Sequence, residues 1–156
     1  MLRFAFVATL LLAALPMGSR AQSTDILAII ESVSADRIES DIRTLVGFGT
    51  RNTLSDTLSD TRGIGAARRW IKAEFDRISD ACNGCLDIYY QRSLVRAEDN
   101  SRIPEDTWVV NVIAIQRGAI HPNRYVLMTG DIDSRASNST DATTDAPGAR
   151  VRLLRN

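Results

Sequence analysis

Apolar positions along the chain fall into a few periodic blocks, and their spacing predicts most of the elements. Ile26, Leu27, Ile29, Ile30 and Val33 recur at helical spacing, and Ile38, Ile42, Leu45 and Val46 repeat the pattern beyond Ser34. Two short amphipathic helices therefore follow one another. Ser34 or Asp36 can cap the second, and Gly47 with Gly49 ends it before Thr50 and Arg51. The tetrapeptide Thr-Leu-Ser-Asp then occurs twice in succession, at 53–56 and 57–60. Its Ser, Thr and Asp residues favour turns and caps, and one duplication lacks the period of a repeat fold. Ile64, Ala67, Ile71, Phe75 and Ile78 mark a longer helix over about 62–79, with Trp70 seating it and Arg68, Arg69, Lys72 and Glu74 on its wet side. Leu86, Ile88, Tyr90 and Leu94 alternate with polar neighbours, as a half-buried strand does. A charged connection, 96–106, leads to a second strand over 108–115, apolar except at Asn111 and expected to be central. After a turn at 117–123, Tyr125, Val126, Leu127 and Met128 form an uninterrupted apolar run that fits a strand buried on both faces of an α/β sheet.

That run breaks at Gly130 into an acidic, hydroxyl-rich loop, and the candidate chemistry lies there. Loops leaving the carboxyl ends of strands line the ligand crevice in open α/β sheets, which would deliver Asp131 and Asp133 to the rim. Gly130 leaves room for close approach of backbone or ligand. Carboxylates at i and i+2 point to one side of a continuing strand and repel unless a cation or proton intervenes, so a bound metal is the natural occupant. The plainer reading is a solvated strand end with loop caps. His121, the lone histidine, sits at the opposite end of that strand, four residues at about 3.3 Å each away, and reads as a surface residue. Asn138-Ser139-Thr140 matches a glycosylation acceptor. Gly63 and Gly65 suggest a dinucleotide fingerprint, but Arg68 occupies the third glycine position and no strand precedes them.

Composition narrows the function classes. A chain of 156 residues, 44% of them hydrophobic, suits one core and one domain. Lys plus Arg equals Asp plus Glu at 19 each, so no global field favours nucleic acid or an anionic membrane, and no basic stripe with interleaved aromatics is present. Nucleic-acid binding is not expected. Arg3, the apolar block 4–15 and the small residues Ser19 and Ala21 read as a secretory signal over 1–21, cleaved before Gln22. The apolar block is too short to span a bilayer, so no stable membrane anchor is expected after cleavage. The mature protein would be secreted or periplasmic, an oxidising setting. There Cys82 and Cys85 can be a redox pair, half a zinc site or a local disulfide. They follow a helical pattern and precede a strand, the reverse of the redox order, which favours a disulfide.

Several segments together resemble the secreted two-zinc aminopeptidase family, that of the bacterial leucyl aminopeptidases, related to glutamate carboxypeptidase. They are Gly47-Phe48-Gly49-Thr50-Arg51, Arg69-Trp70-Ile71, Asn111-Val112-Ile113-Ala114, Thr129-Gly130-Asp131-Ile132-Asp133-Ser134 and Asp145-Ala146-Pro147-Gly148-Ala149. The resemblance implies a truncated α/β fold of the three-layer, mixed-sheet exopeptidase type over 22–149. It also implies a peptide substrate cut at its amino terminus and zinc as cofactor, two ions in a complete site. Where the family reads Gly-His-x-Asp-Ser, its metal-binding histidine falls on Asp131 and its supporting catalytic aspartate on Asp133. Oxygen in place of nitrogen shifts preference toward harder ions. The family continues past Pro-Gly-Ala with Asn-Asp, the aspartate bridging both metals, and then a Glu-Glu pair that supplies the general base. Here Arg150 and Val151 follow, so 150–156 reads as an atypical tail, with a shift of reading frame or a cut gene after Ala149, and the chain as inactive.

Two other readings compete. Related ectodomains have lost their metals and kept the fold, so a secreted, non-catalytic binding module is the alternative. An apolar strand followed by Asp-x-Asp also opens phosphoryl-transferring enzymes, although that motif normally lies on an early strand, and a manganese-dependent nucleotide-sugar transferase is a weaker variant. With the sheet only partly present, Val112 and Leu127 would lack cover, which predicts poor solubility.

Overall fold

A computed structural model describes residues 21–146 and 148. The expected signal, apart from Ala21, lies outside the described residues, as do Pro147, Ala149 and the tail 150–156. The chain falls into two units, Met1–Ala35 and Asp36–Asn156. In the first, helix α1 (Ala21–Glu31) leaves Ile26, Leu27, Ile29 and Ile30 exposed. Among the described residues no helix is long and apolar enough to cross a membrane.

The second unit contains all but the first residue of α2 (Ala35–Gly47), with α3 (Gly63–Ala81) and two strands, β1 (Leu86–Val95) and β2 (Thr107–Gln116). Helices with a two-stranded sheet make this a small mixed α/β fold. Gly49, at φ 70°, ends α2 by donating its N–H to the Val46 carbonyl, a conformation that suits glycine. Phe48 just beyond it meets Trp70 of α3 with ring centroids 6.4 Å apart, so Trp70 does seat the helix. Glu74 of α3 pairs with both Arg37 and Arg77.

The duplicated tetrapeptide builds the start of α3. Ser55, buried, accepts the Ile64 N–H at 2.9 Å through its Oγ, and the Asp56 carbonyl accepts the Gly65 N–H. Two donors that the first helical turn leaves orphaned are thereby satisfied. A Cβ on Gly65 would lie 2.2 Å from the Thr57 carbonyl oxygen, so Gly65 serves helix-to-loop packing. Ile64, Ala66 and Ala67 form most of the buried apolar core.

At the far end of α3, Gly84 N–H bonds the Ser79 carbonyl and Cys82 is disulfide-bonded to Cys85. The buried Ser79 hydroxyl bonds both backbone groups of Leu86 at 3.2 Å, fixing where β1 begins. β1 and β2 pair antiparallel from Leu86↔Gln116 to Val95↔Thr107. The connection is closed by Asp106, which accepts from the Ala97 N–H at 3.0 Å and pairs with Arg96. Asn111, the polar position of β2, lies opposite Gln91 and donates to its side chain at 2.8 Å.

Three expectations are corrected. β2 is not central, because the sheet has two strands and β2 has a partner on one edge alone among the described residues. Residues 125–128 form no strand: Tyr125, Val126, Leu127 and Met128 are 88, 93, 85 and 91% exposed. An apolar run supplies propensity, but a strand also needs a ladder partner and a covering surface. Arg68 is not on the wet side of α3; it is 7% exposed, because its position faces the β1–β2 hairpin.

Candidate functional site

The two acidic segments are positioned by a loop, residues 48–52, rather than by a strand. Thr50, Arg51 and Asn52 are all buried. The Arg51 N–H donates to Ser134 Oγ at 3.0 Å, and Ser134 N–H donates back to the Arg51 carbonyl at 3.2 Å. The guanidinium of Arg51 extends this clamp, its Nε donating to the Ile132 carbonyl at 2.9 Å and Nη1 to the Leu45 carbonyl at 2.6 Å. A single residue therefore ties the end of α2 to the segment carrying both candidate aspartates.

The second acidic segment is held from the same loop. Ala146 N–H bonds the Gly49 carbonyl at 3.1 Å, and Arg62 Nη2 reaches Asp145 at 2.6 Å and the Thr143 carbonyl at 2.7 Å. The Asn52 side chain donates to the Ser139 carbonyl at 3.1 Å. A Cβ at Gly49 would lie 2.2 Å from the Arg62 guanidinium and 2.9 Å from the Asp145 carboxylate, so Gly49 admits that ion pair.

Asp131 and Asp133 are exposed, whereas Ile132 is half-buried and Ser134 buried. The alternation expected of an extended segment is thus kept without a ladder, and both carboxylates line one cavity of about 660 Å3 whose other walls include Ile64, Arg68, Phe75 and Val112. Burial pushes the Arg51 pKa down from its ordinary value, and the neighbouring Asp133 carboxylate opposes that shift. Asp133 therefore faces a cation already supplied by the protein. At Gly130 a Cβ would meet nothing within 4 Å, so no other backbone segment among the described residues approaches closely there. His121 is exposed, in a turn closed by Arg124 N–H on its carbonyl.

These two donors do not complete a zinc site by themselves. Tetrahedral zinc takes three or four protein ligands, and among the described residues no group of three His, Cys, Asp or Glu side chains converges. Asp131 and Asp133 supply two hard oxygen donors, one of them beside Arg51.

Sequence reasoning placed Asp131 and Asp133 together but assigned no role to Arg51, Asn52 or Ser134. The available signal was the Gly-Phe-Gly-Thr-Arg run, a glycine-spaced loop ending in a charge.

Comparison with other proteins gives a consistent direction. No family model matches the chain, and no solved structure matches it. It is 44% identical over 129 residues to a Leptosphaeria maculans protein named "Probable zinc metalloprotease", covering 83% of this chain and 30% of that relative. A Pyrenophora tritici-repentis protein of the same name is 41% identical over 125 residues, 80% of this chain and 29% of the relative. One from Pyricularia oryzae is 34% identical over 133 residues, 85% and 26% respectively. The chain thus spans about a third or less of the length of these relatives.

Proposed function

We propose that the chain forms part of a secreted, zinc-dependent exopeptidase that removes residues from peptide amino termini, with Asp131 a metal ligand and Asp133 its supporting carboxylate. Similarity to proteins named as zinc metalloproteases supports a metal-dependent peptidase, and the resemblance of the Thr129–Ser134 motif supports the aminopeptidase type. The structural observation that carries the reading is the Arg51–Ser134 clamp: it spans 83 positions of sequence to fix two adjacent carboxylates at a cavity wall. A purely structural loop has no need for two exposed like charges there.

In this arrangement Arg51 and Ser134 orient the Asp131–Asp133 segment, and Ile64, Phe75 and Val112 form the apolar wall beside it. Bound zinc would polarise a scissile carbonyl and activate water. Two carboxylates cannot hold two cations, so the isolated chain is inactive under this reading. A non-catalytic binding module of the same fold is the second reading, favoured by the small number of converging donors.

The test is a chimera in which residues 35–146 replace the matching segment of the Leptosphaeria maculans relative. If the parent hydrolyses leucyl anilide, the chimera is expected to do so in a chelator-sensitive way, to spare the amino-terminally acetylated substrate, and to lose activity on Asp133→Ala. An inactive but folded chimera, or equal cleavage of the blocked substrate, sinks the proposal. Trimming of oligopeptides by the isolated chain would overturn its assigned inactivity.

A further inference from the structure

Arg68 presents a problem that the acidic site does not solve. It is 7% exposed, and its Nε, shut off from solvent, has no hydrogen-bond partner. A buried guanidinium is ordinarily paired, because removing a charge from water is unfavourable unless an opposite charge and hydrogen bonds replace the lost hydration. The two groups facing it act in opposite senses. Burial first lowers the Arg68 pKa; Tyr90 then opposes that shift, and Arg92 across from it on β1 adds to it. Asp131 and Asp133 share the wall of one cavity with Arg68, but among the described residues no acidic side chain lines its hairpin side.

Beside Arg68 lies a cavity of about 480 Å3 walled by Arg68, Arg69, Arg92, Tyr90 and Trp108. Arg69 is already committed to the carbonyls of Thr57, Leu58 and Ser59. Arg68 and Arg92 have no such acceptors among the described residues. Tyr90 pairs with Val112 and Arg92 with Val110 across the hairpin, and Leu94 with Trp108, so the alternation of the strands puts Tyr90, Arg92 and Trp108 on the face that meets α3. The cavity therefore combines an unpaired buried cation, a second cation at its mouth and two aromatic walls.

We propose that this cavity is a binding site for the carboxylate of a peptide ligand, with Arg68 as the buried anchor, Arg92 at the rim and Trp108 packing against the side chain next to the carboxylate. A planar carboxylate matches the guanidinium fork, and would give the orphaned Nε its acceptor. Aromatic walls favour an apolar neighbour on the ligand, which free inorganic phosphate lacks. Neither Asp131 nor Asp133 lines this cavity, although Arg68 also walls the one they line, and the proposal does not depend on the peptidase reading.

Acetyl-Ala-Phe with a free carboxylate, the same dipeptide as its carboxamide, and inorganic phosphate are titrated at constant ionic strength into the full chain. Trp108 fluorescence is followed, with Trp108→Phe to separate it from Trp70. The free acid is expected to give a saturable change at millimolar concentration and the carboxamide none. Arg68→Met should weaken the free acid by about tenfold, as loss of one charge-assisted contact does. Because that change also removes an unpaired buried charge, the variant should unfold no earlier than the parent. Arg92→Gln, exposed at the rim, should weaken binding a few-fold and leave folding alone, so it tests the site even if Arg68→Met misfolds. Equal response to acid and carboxamide, phosphate binding as tight as the free acid, or binding unchanged in both variants each overturns the proposal.

Discussion

Replacing Arg51 by methionine isolates the clamp that positions the candidate site. Among the bonds the change removes from this cation are those at 2.9 Å to the Ile132 carbonyl and 2.6 Å to the Leu45 carbonyl. It keeps the backbone exchange with Ser134 available. A hydrogen bond to a charged group contributes about 1.5–3 kcal/mol, so the gross loss from these two is about 3–6 kcal/mol. Two effects reduce it. Burial already disfavours the guanidinium, as the lowered Arg51 pKa shows, and Leu45 and Ile132 are half-buried, so water can reach the released carbonyls. A net loss of about 2 kcal/mol is expected, concentrated where Arg51 acts. Amide exchange reads this locally. The Ser134 amide, bonded to the Arg51 carbonyl, should exchange about 30-fold faster, since 1.4 kcal/mol is tenfold, while amides of the β1–β2 hairpin keep their protection. Arg51→Lys should fall between, retaining the charge but not the fork. Unchanged exchange at Ser134 in a folded Arg51→Met protein would show that the guanidinium does not hold residues 131–134 in place.

Ser55→Ala should lower unfolding stability by about 1–2 kcal/mol in urea titration, because the buried Ile64 N–H loses its acceptor; a change near zero would mean that water replaces the hydroxyl. Asp141 is held at a pKa of about 2, below its ordinary 3.8, first by the Ser137 hydroxyl and then by the Thr144 N–H. A depressed carboxylate stabilises the fold above its unfolded value and loses that contribution as pH falls toward 2, so carboxyl NMR should show a midpoint near 2 and residues 137–144 loosening only below pH 3.8; a midpoint at 3.8 would remove the hydrogen bonds from the account. Leu127→Lys with Met128→Lys should cut aggregation in light scattering and change stability by less than about 0.5 kcal/mol, since both side chains are exposed; unfolding of the double variant would mean the segment is packed.

Local pattern determined the elements of this protein wherever the chain answers to itself. Helical spacing of Ile64, Ile71 and Phe75, alternation through Leu86, Ile88 and Tyr90, and the caps within the duplicated tetrapeptide are set by neighbours a few residues away, so α2, α3, β1 and β2 were legible, as was the placing of Asp131 beside Asp133. Tertiary structure decided what depends on partners far along the chain. Whether residues 125–128 become a strand turns on a second strand and a cover, which an apolar run does not carry within itself. The burial of Arg68 depends on the hairpin folding over α3, and the role of Arg51 on Ser134, 83 positions away. A charged residue on a helix looks wet from its own periodicity; only the surface packed against it determines whether water remains.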